Sequence, residues 1–206
     1  MEPKAQIETG KAIGYGWKTV KKDLVYFVLI ALIVQVFSMM SLLIKDQTIS
    51  SIISFLVLII GIFLTAGYLK ISFSYYDGKK LPLNELFKQG KYFINLLGAQ
   101  LLVGLIVIAG LILFIVPGII WGLKYQMTLN LIVDKDLDIL EAMRQSAEIT
   151  KGVKLQLLVF NFACLGVMIL GALALGVGVL VAMPVLWLAG IYVYRHLLKN
   201  QNVQPV

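Results

Sequence analysis

Charged residues are spaced so unevenly along this chain that the gaps between them outline its elements. After Lys22 and Asp23 no charge occurs until Lys45; after Asp46 none until Lys70; after Lys91 none until Lys124; and after Lys154 none until Arg195. A bilayer-crossing helix needs about 20 predominantly apolar residues. The first two gaps each fit one such helix, about Leu24–Ile44 and Ser50–Tyr76, joined by the short loop Lys45–Ile49. The last gap is about twice one span and carries the glycine-rich GALALGVG at 171–178, where two helices can turn, so it reads as a hairpin. The run after Lys91 becomes a second hairpin if it starts near Phe93, turns near Gly110 and returns through Pro117 and Lys124 to about Val133. Six spans are predicted.

The polar segments between the spans have helical rather than random patterning. In residues 9–23, Ala12, Ile13, Gly16, Trp17 and Val20 fall on one face at 100° per residue, and Lys11, Lys18, Lys21 and Lys22 on the other, with Thr9 as N-cap. Such a helix lies in the interface, its tryptophan among headgroups and its lysines toward water and anionic lipid. In residues 77–91, Asp77-Gly78 signals a turn and Pro82 suits a first helical turn. Leu83, Leu86, Phe87 and Gly90 then share a face opposite Glu85, Lys88 and Gln89. The third polar segment, Asp138 to Lys151, has capping-box spacing at Asp138 and Glu141 and a C-terminal stop at Gly152. Ile139, Met143, Ala147 and Thr150 are expected to form its buried face, with Leu140 at the edge.

These segments are copies. LPLNELFKQG (81–90) matches LDILEAMRQS (137–146) position for position at Leu81 and Leu137, Glu85 and Glu141, Lys88 and Arg144, and Gln89 and Gln145. IGIFLTAGY (60–68) matches PGIIWGLKY (117–125), pairing Tyr68 with Tyr125 and Asp77 with Asp134, and PVLWLAGIY (184–192) repeats the proline and tyrosine. Ala12 and Gly16 fall where Ala142 and Ser146 fall. The pattern predicts an all-α integral membrane protein of three units, about 8–76, 77–133 and 134–199, each an amphipathic interfacial helix followed by a helical hairpin, with a short cytoplasmic tail, 200–206.

Composition agrees: 60% of the 206 residues are hydrophobic and 14% charged, against about 45–50% and about 25% in soluble domains, and mean hydropathy is +0.91. Some twenty mostly polar residues precede the first apolar run, unlike a cleaved signal peptide, so the first span is expected to stay. Charge then orients the molecule. Of 18 Lys and Arg residues, only Lys45 lies in a predicted far-side loop, so the positive-inside rule puts both termini and both long connectors in the cytoplasm. A five-span alternative, with one helix over about Val103–Lys124, conflicts with both the repeat and the lysine bias.

Candidate chemistry is sparse. The chain has one His and one Cys, and its eleven acids lie outside the central apolar runs, which argues against a hydrolase site, a metal site or a relay of buried carboxylates. Lone Cys164 reads as packing, and His196 beside Arg195 as charge favoured at a helix C-terminus. Lys124 lies about 15 Å before Asp134 along a helix; it either snorkels to the interface or faces a cavity or anionic headgroup. Lys70, nearer its span end, reads as a snorkelling anchor. Tyr68, Tyr125 and Tyr192 recur at matching positions and read as repeat-to-repeat packing with a hydroxyl hydrogen bond. Together with Lys70, Lys124 and Arg195 they are the candidate lipid or cavity contacts. Pro117 and Pro184 are expected to kink their spans, a feature shared by ordinary membrane helices and by the broken helices of transporters.

Along IVPGIIWGLKYQMTLNLIVDKDLDILEAMRQSAEITKG the chain resembles the membrane domain found ahead of some glycerophosphodiester phosphodiesterases and related small prokaryotic inner-membrane proteins. The likeness rests on Pro117-Gly118, Lys124-Tyr125, Asp134, Glu141-Ala142, Ser146 and Lys151-Gly152, with AIGYGWKTVKKD as the lead-in to the first span. No catalytic barrel accompanies it, so the resemblance implies a membrane module without implying phosphodiesterase activity. The expectation is a non-enzymatic multi-pass protein of a prokaryotic cytoplasmic membrane, without a cofactor, that contacts anionic lipids and supports a membrane-protein partner or a homo-oligomer. Nucleic acid is not expected, because the basic patches adjoin a membrane. The alternative is a small transporter with a cavity lined by Lys124, Tyr125 and Tyr68; an intramembrane enzyme acting on lipid ranks third.

Overall fold

The computed structural model describes residues 6–39, 46–174 and 177–200. Lys45, the middle of the glycine-rich turn and the tail from 201 to 206 lie outside the described residues. The described residues are helical throughout, with no strand: α1 Thr9–Lys22, α2 Leu24–Met39, α3 Gln47–Tyr76, α4 Phe93–Leu113, α5 Ile115–Tyr125, α6 Thr128–Lys135, α7 Ile139–Ile149, α8 Lys154–Leu173 and α9 Gly178–Asn200. Four stretches are long and apolar enough to cross a membrane: Gln47–Tyr76, Leu83–Leu113, Lys154–Leu173 and Gly178–Asn200; Leu24–Val36 is a shorter apolar helix.

Local chemistry explains where several elements begin and end. The Asp46 carboxylate accepts from the amides of Thr48 and Ile49 at 3.0 and 2.9 Å and so starts α3. Asp138 does the same for α7, accepting from the Glu141 amide at 2.8 Å; Asp46 thus meets two, and Asp138 one, of the donors that a helix start leaves orphaned. Glu8, not Thr9, occupies the N-cap position of α1, and its side chain caps nothing; it pairs with Lys11 instead. Gly78 and Gly152 turn the chain at φ +77° and +83°, conformations that cost a glycine little.

The second connector departs from the α-helix expected there. It forms two 3₁₀ segments, Leu83–Phe87 and Gly90–Tyr92. Pro82 and Gly90 bracket a run too short for a regular helix, and Leu86 is drawn fully under cover against Gly67 of α3. A Cβ on Gly67 would fall 2.6 Å from the Leu86 carbonyl carbon, so only glycine permits this approach.

The return of the second hairpin also differs. The chain turns at Phe114, which is extended (φ −162°, ψ 149°), and comes back as two short helices, α5 and α6, separated at Gln126–Met127. Pro117 is the third residue of α5, where a missing amide costs little, so the break falls nine residues beyond it. Pro184, by contrast, lies inside α9. Facing glycines close both hairpin tips: a Cβ on Gly110 would sit 2.8 Å from Gly118 Cα, and one on Gly178 2.9 Å from Gly171 Cα.

Packing is concentrated at one end of the helices. On α3 the buried apolar residues run from Ile62 to Phe73, on α8 they are Leu157 and Phe160, and on α9 they run from Ala182 to Leu197. The other halves of α2 and α3 and most of α4 and α8 present Val36, Phe55, Leu105, Ile112, Phe162 and Leu173 outward, each more than half exposed. The packed end is where the connectors meet. Lys80 pairs with Asp23, Lys91 with Asp136, and Arg195 with Asp134 and Asp77. These pairs join residues far apart in sequence, so the three connectors and the end of α9 share one end of the molecule.

Each connector element packs on the last helix of the hairpin before it: the 3₁₀ segments on α3, and α7 on α5 and α6. α1 has no preceding hairpin, and it packs on α9. There Gly16 meets the backbone at Val185 and Ala189, and Ala12 and Val20 are fully buried. In α7 the buried face is Ala142, Met143, Gln145, Ser146, Ile149 and Thr150. Of the expected Ile139, Met143, Ala147 and Thr150 face, Met143 and Thr150 are buried and Ile139 and Ala147 only half-buried; the face is rotated toward Ala142 and Ser146, whose hydroxyl bonds the Lys124 carbonyl of α5.

Candidate functional site

Three features at the packed end bring polar side chains together. In the first, Arg195 of α9 clasps both aligned aspartates: its guanidinium donates to Asp134 at 3.1 Å and to Asp77 at 3.2 Å. The Tyr194 hydroxyl donates to Asp134 Oδ2 at 2.8 Å. The Arg195 cation also lies over the rings of Phe73 and Tyr76, 5.1 and 5.9 Å from their centroids. The side chains of Arg195 and Asp134 are only 19% and 9% exposed, so the clasp is inside the protein, where a charge needs its partner. The clasp thus joins the residue after α3, the end of α6 and the last turns of α9. Arg195, a candidate lipid contact in the sequence, is thus occupied by two carboxylates.

The second feature is the break between α5 and α6. A broken helix leaves backbone groups unpaired, and α7 satisfies them. The Ser146 hydroxyl donates to the Lys124 carbonyl at 2.9 Å, the Met127 amide donates to Ser146 Oγ at 3.2 Å, and the Thr150 hydroxyl, which donates to the Ser146 carbonyl at 2.8 Å, lies 3.2 Å from the Lys124 carbonyl. Asn161 of α8 donates to Gln126 Oε1 at 3.1 Å, while Gln126 Nε2 is buried without a partner among the described residues.

The third is a basic corner between α1 and α2. Lys21, Lys22, Asp23, Leu24, Val25, Tyr26, Leu29 and Lys80 line a cleft of about 540 Å³. Asp23 accepts from Lys80 at 2.5 Å and from the Tyr75 hydroxyl at 3.0 Å. These two bonds, Lys80 first, hold the Asp23 carboxyl below the usual carboxylate range. The Tyr26 hydroxyl donates to the Leu81 carbonyl at 2.6 Å, and Lys80 lies 5.0 Å from the Tyr26 ring centroid.

The remaining candidates are dispersed. Lys124 Nζ lies 4.9 Å from the ring centroid of its neighbour Tyr125. Tyr68 stacks on Trp187 of α9 at 4.3 Å, and Tyr192 packs against Tyr15 at 5.4 Å and Tyr76 at 6.4 Å. Tyr68 and Tyr192 therefore join the first unit to the third, but through rings; neither hydroxyl has a hydrogen-bond partner among the described residues. Lys70 is exposed. Two further clefts, of about 600 Å³ beside Phe63 and Phe87 and about 470 Å³ beside Trp17 and Val181, are apolar. None of these three clefts is lined by Lys124, Tyr125 or Tyr68. The clasp is not legible in the sequence alone; the available signal is two acids at matching positions, Asp77 and Asp134, followed by Arg195 late in the chain.

Fold and site together define a class: an all-helical protein with four helices able to cross a membrane and its ionic contacts gathered at one end. Within that class, the chain is 30% identical over 146 residues to uncharacterised proteins of Mycobacterium bovis and Mycobacterium tuberculosis, which covers 70% of this chain. It spans 44% of the length of those relatives. No described protein family matches the chain, and no solved structure does.

Proposed function

We propose that this chain is a non-enzymatic multi-pass protein of a prokaryotic cytoplasmic membrane that holds anionic lipid against its connector face. In this reading it crosses six times as three hairpins, with α2, and α5 with α6, completing the set, and both termini in the cytoplasm. The carrying observation is a separation of surfaces: Lys11, Lys18, Lys21, Lys22, Lys79, Lys80, Lys88 and Lys91 are all exposed in the connector elements, while α3, α4 and α8 expose apolar side chains. Lysines next to a bilayer attract anionic lipid by about 1 kcal/mol each. The likeness of residues 115–152 to the membrane domain of glycerophosphodiester phosphodiesterases fits such a module, as does a supporting role toward a membrane partner or a second copy. The test is native mass spectrometry of the protein with Lys-to-Gln changes at 18, 21, 22, 79, 80, 88 and 91. Retention of phosphatidylglycerol is expected to fall sharply, and undiminished retention overturns the proposal.

A second reading, a small transporter, is favoured by one observation, the unpartnered Gln126 Nε2 beside the helix break. It is the weaker, because the Ser146 hydroxyl of α7 already engages the freed Lys124 carbonyl. Solute uptake by proteoliposomes that a Gln126→Leu change abolishes would reverse the ranking.

A further inference from the structure

The basic corner between α1 and α2 is more than one part of a generally positive face. Three lysines and one aspartate line it, leaving two positive charges in excess, and Asp23 is already engaged by Lys80 and Tyr75. Lys21 and Lys22 have no carboxylate partner among the described residues. Below the charges runs an apolar wall, Leu24, Val25 and Leu29, that is 46%, 73% and 41% exposed on a helix of bilayer-facing composition. The Tyr26–Leu81 and Lys80–Asp23 bonds tie the 78–82 loop down over α2, so the third lysine is held in place. Two lysines of the second connector, by contrast, are paired: Lys88 with Glu85 and Lys91 with Asp136.

We infer that this corner is a discrete binding site for one anionic glycerophospholipid, its phosphate between Lys21, Lys22 and Lys80 and one acyl chain along Leu24, Val25 and Leu29. The occupant is a lipid rather than a free phosphate ester, because the charged mouth opens directly onto an apolar wall that a headgroup alone would leave in contact with water. A phosphodiester brings the negative charge that the corner lacks, and its chain covers the exposed side chains.

This inference rests on the lipid-contacting reading above, and the two fail differently. Full-length protein in detergent is given phosphatidylglycerol, and the lipid surviving collisional activation is counted by native mass spectrometry. One tightly retained lipid per chain is expected, with retention on the order of tenfold lower in Lys21→Gln/Lys22→Gln. Val25→Trp, which fills the wall and keeps every charge, is expected to lower it as well. Lys88→Gln/Lys91→Gln, on the basic face but outside the corner and already paired with Glu85 and Asp136, is expected to lower it by no more than about twofold. Equal losses in the Lys21/Lys22 and Lys88/Lys91 variants would overturn the discrete site while leaving the general reading standing, and no loss in either would overturn both. Displacement of the lipid by glycerol 3-phosphate at equal concentration, or retention of phosphatidylcholine as strong as that of phosphatidylglycerol, would also overturn it.

Discussion

The clasp around Asp134 concentrates more consequence in one residue than any other part of the protein. Removing one partner of a buried ion pair strands the other charge, at a cost of about 3–5 kcal/mol. Asp134→Ala is therefore expected to destabilise the protein by about 3 kcal/mol in a denaturant titration, since it deprives both Arg195 and Tyr194 of their acceptor. Asp77, with a side chain 52% exposed, is expected to matter by no more than about 1 kcal/mol when changed to Ala. An equal effect of the two changes would mean that the clasp is not internal. The sequence showed the two aspartates as aligned residues at matching repeat positions, but not that one is enclosed and the other open. Asp134 has in addition the hydroxyl of Tyr194, which is remote from it in the chain.

Glycines and caps decide how the elements meet. Gly16 and Gly14 lie two residues apart in α1, yet a Cβ at Gly16 would strike the α9 backbone and one at Gly14 would meet nothing within 4 Å. Gly16→Ala is expected to cost about 1–3 kcal/mol through overpacking, whereas Gly14→Ala is expected to stabilise by up to about 1 kcal/mol by restricting the unfolded chain; thermal unfolding of the two variants checks the sign. In α7, Glu141 is held down to about 2 by Arg144 first and Gln145 next, from an ordinary value of 4.5. Because the folded value is the lower one, this support is fully present above pH 4.5 and is lost as the pH falls toward 2. Unfolding temperatures measured across that window are expected to fall more steeply for the native protein than for Glu141→Gln. The α7 cap was readable from Asp138 and Glu141 alone, because capping is a local hydrogen bond. The 3₁₀ form of residues 83–92 was not, because it depends on how closely Gly67 lets a neighbour approach.

At the scale of the molecule, the ion pairs between connectors gather one end of the structure, and the six-crossing reading turns that into a sidedness. In a Cys164→Ser background, single cysteines at Lys79 and Lys151 are expected to react with an impermeant thiol reagent only when it is applied from the cytoplasmic side. Phe114→Cys is expected to react only from the other side. Labelling of residue 151 from outside would instead favour five crossings. The sparse packing of the far halves of the helices has a physical reason in this setting, since acyl chains cover apolar side chains as well as protein does.

What the sequence determined by itself is what depends on neighbours along the chain. Uncharged runs fix the apolar helices, the spacing of Asp138 and Glu141 fixes the start of α7, and the recurrence of Asp77 and Asp134 marks two matching junctions. Tertiary structure decided which surfaces those elements use. It sent α1 to α9 rather than to α2 and α3, split the return from Phe114 into two helices at Gln126 where the Ser146 hydroxyl satisfies freed groups, and turned Arg195 inward onto two carboxylates. Those outcomes depend on side-chain volume and unpaired polar groups that meet only after the chain has folded, and no periodicity along the sequence encodes such meetings.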